Sequence, residues 1–264
     1  MYSQAQRLFL RPLAPHAAAR VVCFPCAGGT ATMFDALAAA LAPSIDVCAF
    51  ELPGRQNRMR EPFARSMHEL LQPLVACAAE LFDRPYVLLG HSLGSWMAFE
   101  LARKLRARRH PSARALVVMG ERAPDAPRRP AISQLSDAAF SAALCSMGGI
   151  PRELLDEPEL MELLLPRMRA DFALAESYVP PDEPPLPLQL VAVGGSHDPT
   201  VPQRLLQAWS AHCSAGFEQH VLTGDHFFVQ SQTRALCALV ERILAVRPLC
   251  APVFRALDAH KELS

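Results

Sequence analysis

The 264-residue sequence predicts an α/β fold: a mostly parallel central sheet with helices on both faces and an inserted helical lid. Three observations carry that expectation. Short, almost continuously apolar runs recur along the chain, as strands buried on both faces require. Helical patterns separate them. The alternation is interrupted once, over residues 121–187, where prolines and helical spacings replace strands. A composition that is 51% hydrophobic is enough for one sizeable core.

The elements follow in order. RVVCF (20–24) is the first strand, and Met33, Phe34, Leu37 and Leu41 mark a helix behind it. DVCAF (46–50) is the second strand, followed by a helix carrying Leu70, Leu71, Leu74, Val75, Ala78 and Leu81. YVLL (86–89) starts after Pro85, and Leu93, Met97, Leu101 and Leu105 recur behind it at helical spacing. ALVVM (115–119) is the fourth strand. The lid then reads as short helices: one over 136–147 ended by Gly148 and Gly149, and others over 151–155, 158–165 and 166–178, each begun by a proline. VPPDEPPLP (179–187) is a stiff connector back to the sheet. LQLVAV (188–193) and EQHVL (218–222) complete the strands, and Leu236, Leu239, Val240, Ile243 and Leu244 form a closing amphipathic helix. The tail after Arg247 is expected to be loosely held. Residues 1–120 and 188–264 therefore make the core, and 121–187 the lid.

Lys plus Arg and Asp plus Glu stand at 26 each, so no global charge favours nucleic acid, an anionic membrane or a strongly acidic partner. The N-terminus lacks the apolar core of a secretory signal and no run of eighteen apolar residues occurs, so a soluble, cytoplasmic protein is expected. A monomer is expected as well. The eight cysteines are scattered, several within apolar runs, and are expected as free thiols. Cys23 and Cys26 form a CxxC, but no second pair or clustered histidines follow at zinc spacing. No metal or organic cofactor is expected.

The chemistry concentrates at GHSLG (90–94), where a strand becomes a helix. Flanking glycines remove side chains that a tight bend cannot hold, and the Ser92 hydroxyl is pushed out above the carboxyl ends of the strands. The N–H of Leu93 lies at the helix N-terminus, where negative charge is favoured. A serine needs a base and a group to orient that base. Asp198, in GGSHDPTVP after the fifth strand, and His226, in TGDHFF after the last, supply them in the order serine, acid, histidine. His197 is the rival base and Asp225 the rival acid, although Asp225 is adjacent to His226 and poorly placed to reach Nδ1. A second oxyanion donor belongs in FPCAGGTATMF (24–34), from the N–H of Ala27 or of its rival Cys26.

Together FPCAGG, ELPGRQNR (51–58), GHSLG, the segment 148–178 with RADFALAESY, GGSHDPTVP and GDHFF resemble the type II thioesterases of the α/β-hydrolase superfamily. The resemblance runs from about Val21 to Ile243. LPGRxxR and RADFxLxExY are its more specific parts, and Cys26 departs from the family's usual histidine or aromatic residue. It implies an α/β-hydrolase fold and hydrolysis of acyl groups from the phosphopantetheine arm of acyl or peptidyl carrier proteins, which edits stalled or misprimed polyketide and nonribosomal peptide synthetases. The lid supplies Phe140, Leu144, Met147, Leu155, Leu163, Leu164, Met168, Phe172 and Leu174, about a third of which are expected at the acyl pocket. Cys26, Met147, Phe172 and Phe227 are the expected substrate contacts. Arg58, with Arg55 and Arg60, is expected at the entrance, meeting the arm's phosphate or an acidic carrier. A medium-chain fatty acyl carrier thioesterase, a carboxylesterase of the same fold, and a non-catalytic scaffold are the competing readings.

Overall fold

The computed structural model describes residues 3–150 and 152–245. The expected tail after Arg247 and Pro151 lie outside the described residues, as does the Leu155 side chain. Six parallel strands form one sheet: β1 Ala19–Phe24, β2 Ile45–Ala49, β3 Tyr86–His91, β4 Ala115–Met119, β5 Gln189–Gly195 and β6 Phe217–Leu222. Their order is β2-β1-β3-β4-β5-β6. Every neighbouring pair is parallel, with β1 paired to β3 from Arg20 opposite Tyr86 to Phe24 opposite Gly90.

The continuous apolar runs have a direct cause, since alternate residues of each strand enter different cores. Val22, Phe24, Leu88, Leu116, Val118 and Leu190 face one side, packed against α2 (Met67–Ala76) and α4 (Leu93–Ala107) through Leu71, Leu74, Met97 and Leu101. Val21, Cys23, Val87, Leu89, Val117 and Val191 face the other, packed against α1 (Asp35–Leu41) and α9 (Thr233–Leu244) through Leu37, Leu41, Leu236 and Leu239. α2 is followed by a separate turn of helix, α3 (Ala78–Leu81), where one helix to Leu81 was expected. No helix among the described residues is long and apolar enough to cross a membrane.

Between β4 and β5 the chain forms α5 (Asp137–Ser146), a 3₁₀ turn (Arg152–Asp156) and α6 (Pro158–Ser177). α6 corrects the expected break at Pro166, which lies inside one 20-residue helix. Proline removes one backbone donor there. The buried side chains of Met161, Met168 and Leu174 lie on both sides of Pro166, and their packing holds the helix together across it. Phe140, Leu144, Ile150, Met161 and Met168 make a small core of their own, whereas Leu174 joins the main core. The connector after α6 is clamped to α4, because Arg106 donates to Pro184 O at 2.8 Å and pairs with Glu183 at 2.6 Å. Short helices α7 (Gln203–Gln207) and α8 (Phe228–Ser231) flank β6.

The order places β1 between β2 and β3, so the chain leaves β1 towards one edge and continues from β3 towards the other. Loops at the carboxyl ends of these two strands diverge and leave a crevice, the usual ligand position in open parallel sheets.

Candidate active site

Ser92 is the single residue between β3 and α4. Its φ of 53° and ψ of −122° lie in a region that L residues rarely adopt, at a cost of about 1–3 kcal/mol. Local contacts hold it there. The Ser92 N–H donates to Met119 O at 2.8 Å, and Ser92 O accepts from the Ser95 N–H at 2.8 Å. Ser95 Oγ donates to Gly90 O at 3.0 Å and accepts from the Met119 N–H at 3.0 Å, tying β3, β4 and α4 together.

The glycines are required by packing of backbone on backbone. A Cβ at Gly90 would lie 2.0 Å from Gly94 O, and one at Gly94 would lie 2.1 Å from Phe24 O. Gly94 therefore lets the first turn of α4 rest on the end of β1, which brings Leu93 beside the loop that carries Ala27. Gly90→Ala is expected to destabilise the protein by at least about 2 kcal/mol, because neither backbone can retreat. Urea unfolding measures it; a loss under about 0.5 kcal/mol would mean that the elbow relaxes.

Ser92, Leu93, Cys26, Ala27 and His226 border one cavity of about 540 Å³. Met147, Phe172 and Phe227 also line it, joined by Leu144 of α5 and Met168 of α6. Of the other apolar residues expected there, Phe140 is buried in the small core between α5 and α6 and Leu163 is exposed. Burial, with a smaller contribution from Asp171, pushes the Cys26 thiol up to about 12. It therefore faces the cavity protonated, as a small apolar group.

His226 follows β6 and reaches back to the loop after β5. Its Nδ1–H donates to Asp198 Oδ2 at 2.8 Å. Asp198 Oδ1 accepts from the Thr200 N–H at 2.7 Å, from Thr200 Oγ1 at 2.7 Å and from the Val201 N–H at 3.2 Å. Burial pushes the Asp198 carboxyl up, but the bonds from His226 and Thr200 outweigh it and bring it down to about 2. An ionised Asp198 keeps the proton on Nδ1 and leaves the Nε2 lone pair free to accept one. Thr200 Oγ1 also lies 3.1 Å from Nδ1. Sequence reasoning missed Thr200; its signal is the DPT spacing, in which an aspartate captures the N–H two residues on.

The rivals are placed elsewhere. Asp225 Oδ1 accepts from the Phe227 N–H at 2.8 Å, and His197 Nδ1 lies 2.9 Å from Ser196 Oγ. His91 is fully buried, and its Nε2–H donates to His226 O at 2.8 Å with the two rings 5.0 Å apart. It supports the backbone of His226. Burial above all, then the neighbouring His226, lowers the His91 pKa to about 3, against opposing effects of its bond to His226 O and of Asp198.

A histidine whose folded pKa lies below its unfolded value of about 6.5 binds fewer protons folded than unfolded between those values. Its neutral form therefore supports the fold fully above about pH 6.5, and that support falls as pH drops towards 3. Between pH 7.5 and 5 the expected loss is about 2 kcal/mol. Urea unfolding of wild type and His91→Gln at both pH values checks it: the gap in stability should narrow at pH 5. A gap that widens would contradict the burial effect.

Arg58 is corrected by the structure. It does not border the cavity: its guanidinium is buried, donating to Glu51 O at 2.6 Å and to Glu61 Oε1 at 3.0 Å, with Phe50 5.3 Å away. Arg55 is buried as well and pairs with Asp171 of α6. A guanidinium needs several acceptors, and the loop after β2 folds back to supply them internally. Arg60 is exposed.

With this geometry in hand, comparisons with known proteins are specific. Residues 19–244 match the thioesterase domain model. The chain is 37% identical over 225 residues to the linear gramicidin dehydrogenase LgrE of Brevibacillus parabrevis, covering 84% of this chain and 86% of that one. It is 35% identical to the thioesterase PikA5 of Streptomyces venezuelae, over 85% of this chain and 80% of that protein. Among solved structures, the type II thioesterase BorB from the borrelidin biosynthetic cluster superposes with a TM-score of 0.80 at 34% identity, covering 89% of this chain and 96% of that one.

Proposed function

Because the chain belongs to the thioesterase family, we propose that it is a serine thioesterase that frees acyl groups from the phosphopantetheine arm of acyl or peptidyl carrier proteins, clearing stalled or misprimed chains from polyketide and nonribosomal peptide synthetases. The observation that carries this reading is His226, bonded through Nδ1 to Asp198, bordering the same cavity as a serine held at positive φ. In it, residues 121–187 act as a lid over the core made by the described residues of 1–120 and 188–264, and the protein works as a cytoplasmic monomer beside its synthetase.

The mechanism follows from the site. His226 Nε2 takes the hydroxyl proton as Ser92 Oγ attacks the thioester carbonyl. The N–H groups of Leu93 and Ala27 hold the oxyanion. Collapse breaks the C–S bond, and the departing sulfur receives the proton from the imidazolium. Water then gives a proton to His226 and attacks the acyl-serine ester; collapse returns the serine hydroxyl and releases the acid. Asp198 stabilises the imidazolium in both halves. Cys26, Met147, Phe172 and Phe227 enclose the acyl chain. The wall also carries Glu121 and Arg129, paired at 3.2 Å, which suits acyl chains bearing oxygen functions over plain alkyl chains.

The dehydrogenase in LgrE's name finds no counterpart here, since the turn after β1 reads FPCAGGTAT and lacks the GxGxxG spacing of a dinucleotide site. The decisive experiment follows a panel of acylated carrier proteins by intact mass. Acyl mass should fall with the wild-type protein and persist with Ser92→Ala. Faster turnover of free oxygen esters than of carrier thioesters would favour the carboxylesterase reading, a preference for plain medium chains the fatty acyl one, and failure of a fluorophosphonate to label Ser92 the scaffold.

A further inference from the structure

LPGRxxR and RADFxLxExY lie 116 residues apart at Arg55 and Asp171, and neither belongs to the serine, acid or base. The structure joins them. The Arg55 guanidinium pairs with Asp171 Oδ2, and both side chains are buried, at 1% and 8% exposure. The same oxygen accepts the Gly28 N–H at 2.7 Å. Three segments thus meet at one carboxylate oxygen: the loop after β1, the loop after β2 and helix α6 of the lid.

The position of this junction matters because Gly28 follows Ala27. The peptide that carries the Ala27 N–H has its carbonyl, Cys26 O, held by the Gly29 N–H at 3.0 Å. The next peptide has its N–H held by Asp171. Between these two bonds the Ala27 N–H has little freedom to turn. α6 also fills the space behind the loop, since a Cβ at Gly28 would lie 2.8 Å from Met168 Cε, and Gly28 has φ +74°. Met168 and Asp171, three residues apart, present one helix face to the loop. Farther along, the Ala31 N–H donates to Glu51 Oε2 at 3.2 Å, so the loop after β2 holds one end of the turn directly and the other through Asp171.

We propose that Asp171, held by Arg55, is a positioning residue that sets the Ala27 N–H for the oxyanion, so that the oxyanion hole is complete only while α6 is seated on the loop. Arg55 also neutralises a carboxylate that would otherwise oppose negative charge one residue away. This inference rests on the serine thioesterase reading above. It makes the two sequence motifs halves of one contact between lid and hole.

The test uses Asp171→Ala, Asp171→Asn, Arg55→Met and Ser92→Ala in the full chain. All four are assayed on a short acyl pantetheine thioester; the Asp171 and Arg55 variants, which keep Ser92, are also titrated at the active site by a fluorophosphonate and tested for binding of a trifluoromethyl ketone analogue, which forms an oxyanion on Ser92. Asp171→Ala is expected to lower kcat about 10–100-fold, less than the loss of a donor outright, with KM changed less than about threefold. Analogue affinity should weaken by a similar factor. Asp171→Asn, whose amide oxygen still accepts from Gly28, should lose less, and serves alone if the alanine variant does not fold. A structural role would lower thermal stability and the titrated fraction but leave kcat per site and analogue affinity intact, and that result would overturn the proposal. So would a loss confined to KM. If Ser92→Ala retains turnover, the thioesterase mechanism itself fails; if it is inert while the Asp171 and Arg55 variants match wild type per site, only this inference fails.

Discussion

Replacing Ser92 by alanine is expected to reduce thioester turnover by about 10⁵- to 10⁶-fold, the scale seen when a nucleophile that works as a unit with its base is removed. Alanine keeps the Cβ and the backbone N–H that donates to Met119 O, so the elbow should persist. Stability in urea should therefore stay within about 1 kcal/mol of wild type. The separation of a large kinetic loss from a small thermodynamic one is what identifies a chemical role. A residual rate above that of water would come from the backbone donors and from binding, which alanine leaves in place. If turnover falls less than about tenfold, the reaction does not pass through Ser92.

Asp198→Asn is expected to cost about 10⁴-fold in kcat with the fold intact. The reason is tautomeric. Asp198 is ionised down to about pH 2 and can only accept, so the 2.8 Å bond keeps the proton on His226 Nδ1 and the lone pair on Nε2. An amide can turn its NH₂ towards Nδ1, which then accepts, and the proton moves to Nε2. A protonated Nε2 has no lone pair for the serine proton. Thr200→Val makes the comparison sharper. It removes a hydroxyl donor from the far oxygen, Oδ1, but leaves the Asp198–His226 bond, so a loss of about tenfold or less is expected. The Nδ1–H resonance of His226 should persist in Thr200→Val and disappear in Asp198→Asn. Equal losses in the two variants would mean that Asp198 acts through general polarity and not through the tautomer.

The inner strands were legible because a sheet buried on both faces leaves a local mark: most of them are apolar throughout, and helical periods recur between them, whereas the edge strand β6, FEQHVL, is only half-buried. Gly90 was legible for a similar reason, since its need arises within five residues, whereas the need for Gly94 comes from Phe24 O at the end of β1. Pro166 was misread because local rules assign proline to a helix start, whereas packing of Met161, Met168 and Leu174 on both sides of it keeps α6 continuous. Arg58 was misread because an arginine in a polar loop looks solvent-facing, and only the folded loop reveals that Glu51 O and Glu61 surround it. Thr200 was overlooked because it acts through an aspartate two residues away, and the support that His91 gives to a backbone carbonyl 135 residues distant leaves no local mark.

By itself, then, the sequence determined which segments are strands, where the chain must bend sharply at Ser92, and which aspartate and histidine follow the right strands. Those properties depend on neighbours along the chain, where periodicity and steric limits act. Only the tertiary structure decided which groups touch: that Asp198 and not Asp225 meets Nδ1, that Arg55 and Arg58 are internal, and that a carboxylate on α6 holds the loop beside Ala27. Such contacts depend on direction and burial between segments far apart in sequence, where a shift of about one ångström separates a hydrogen bond from none.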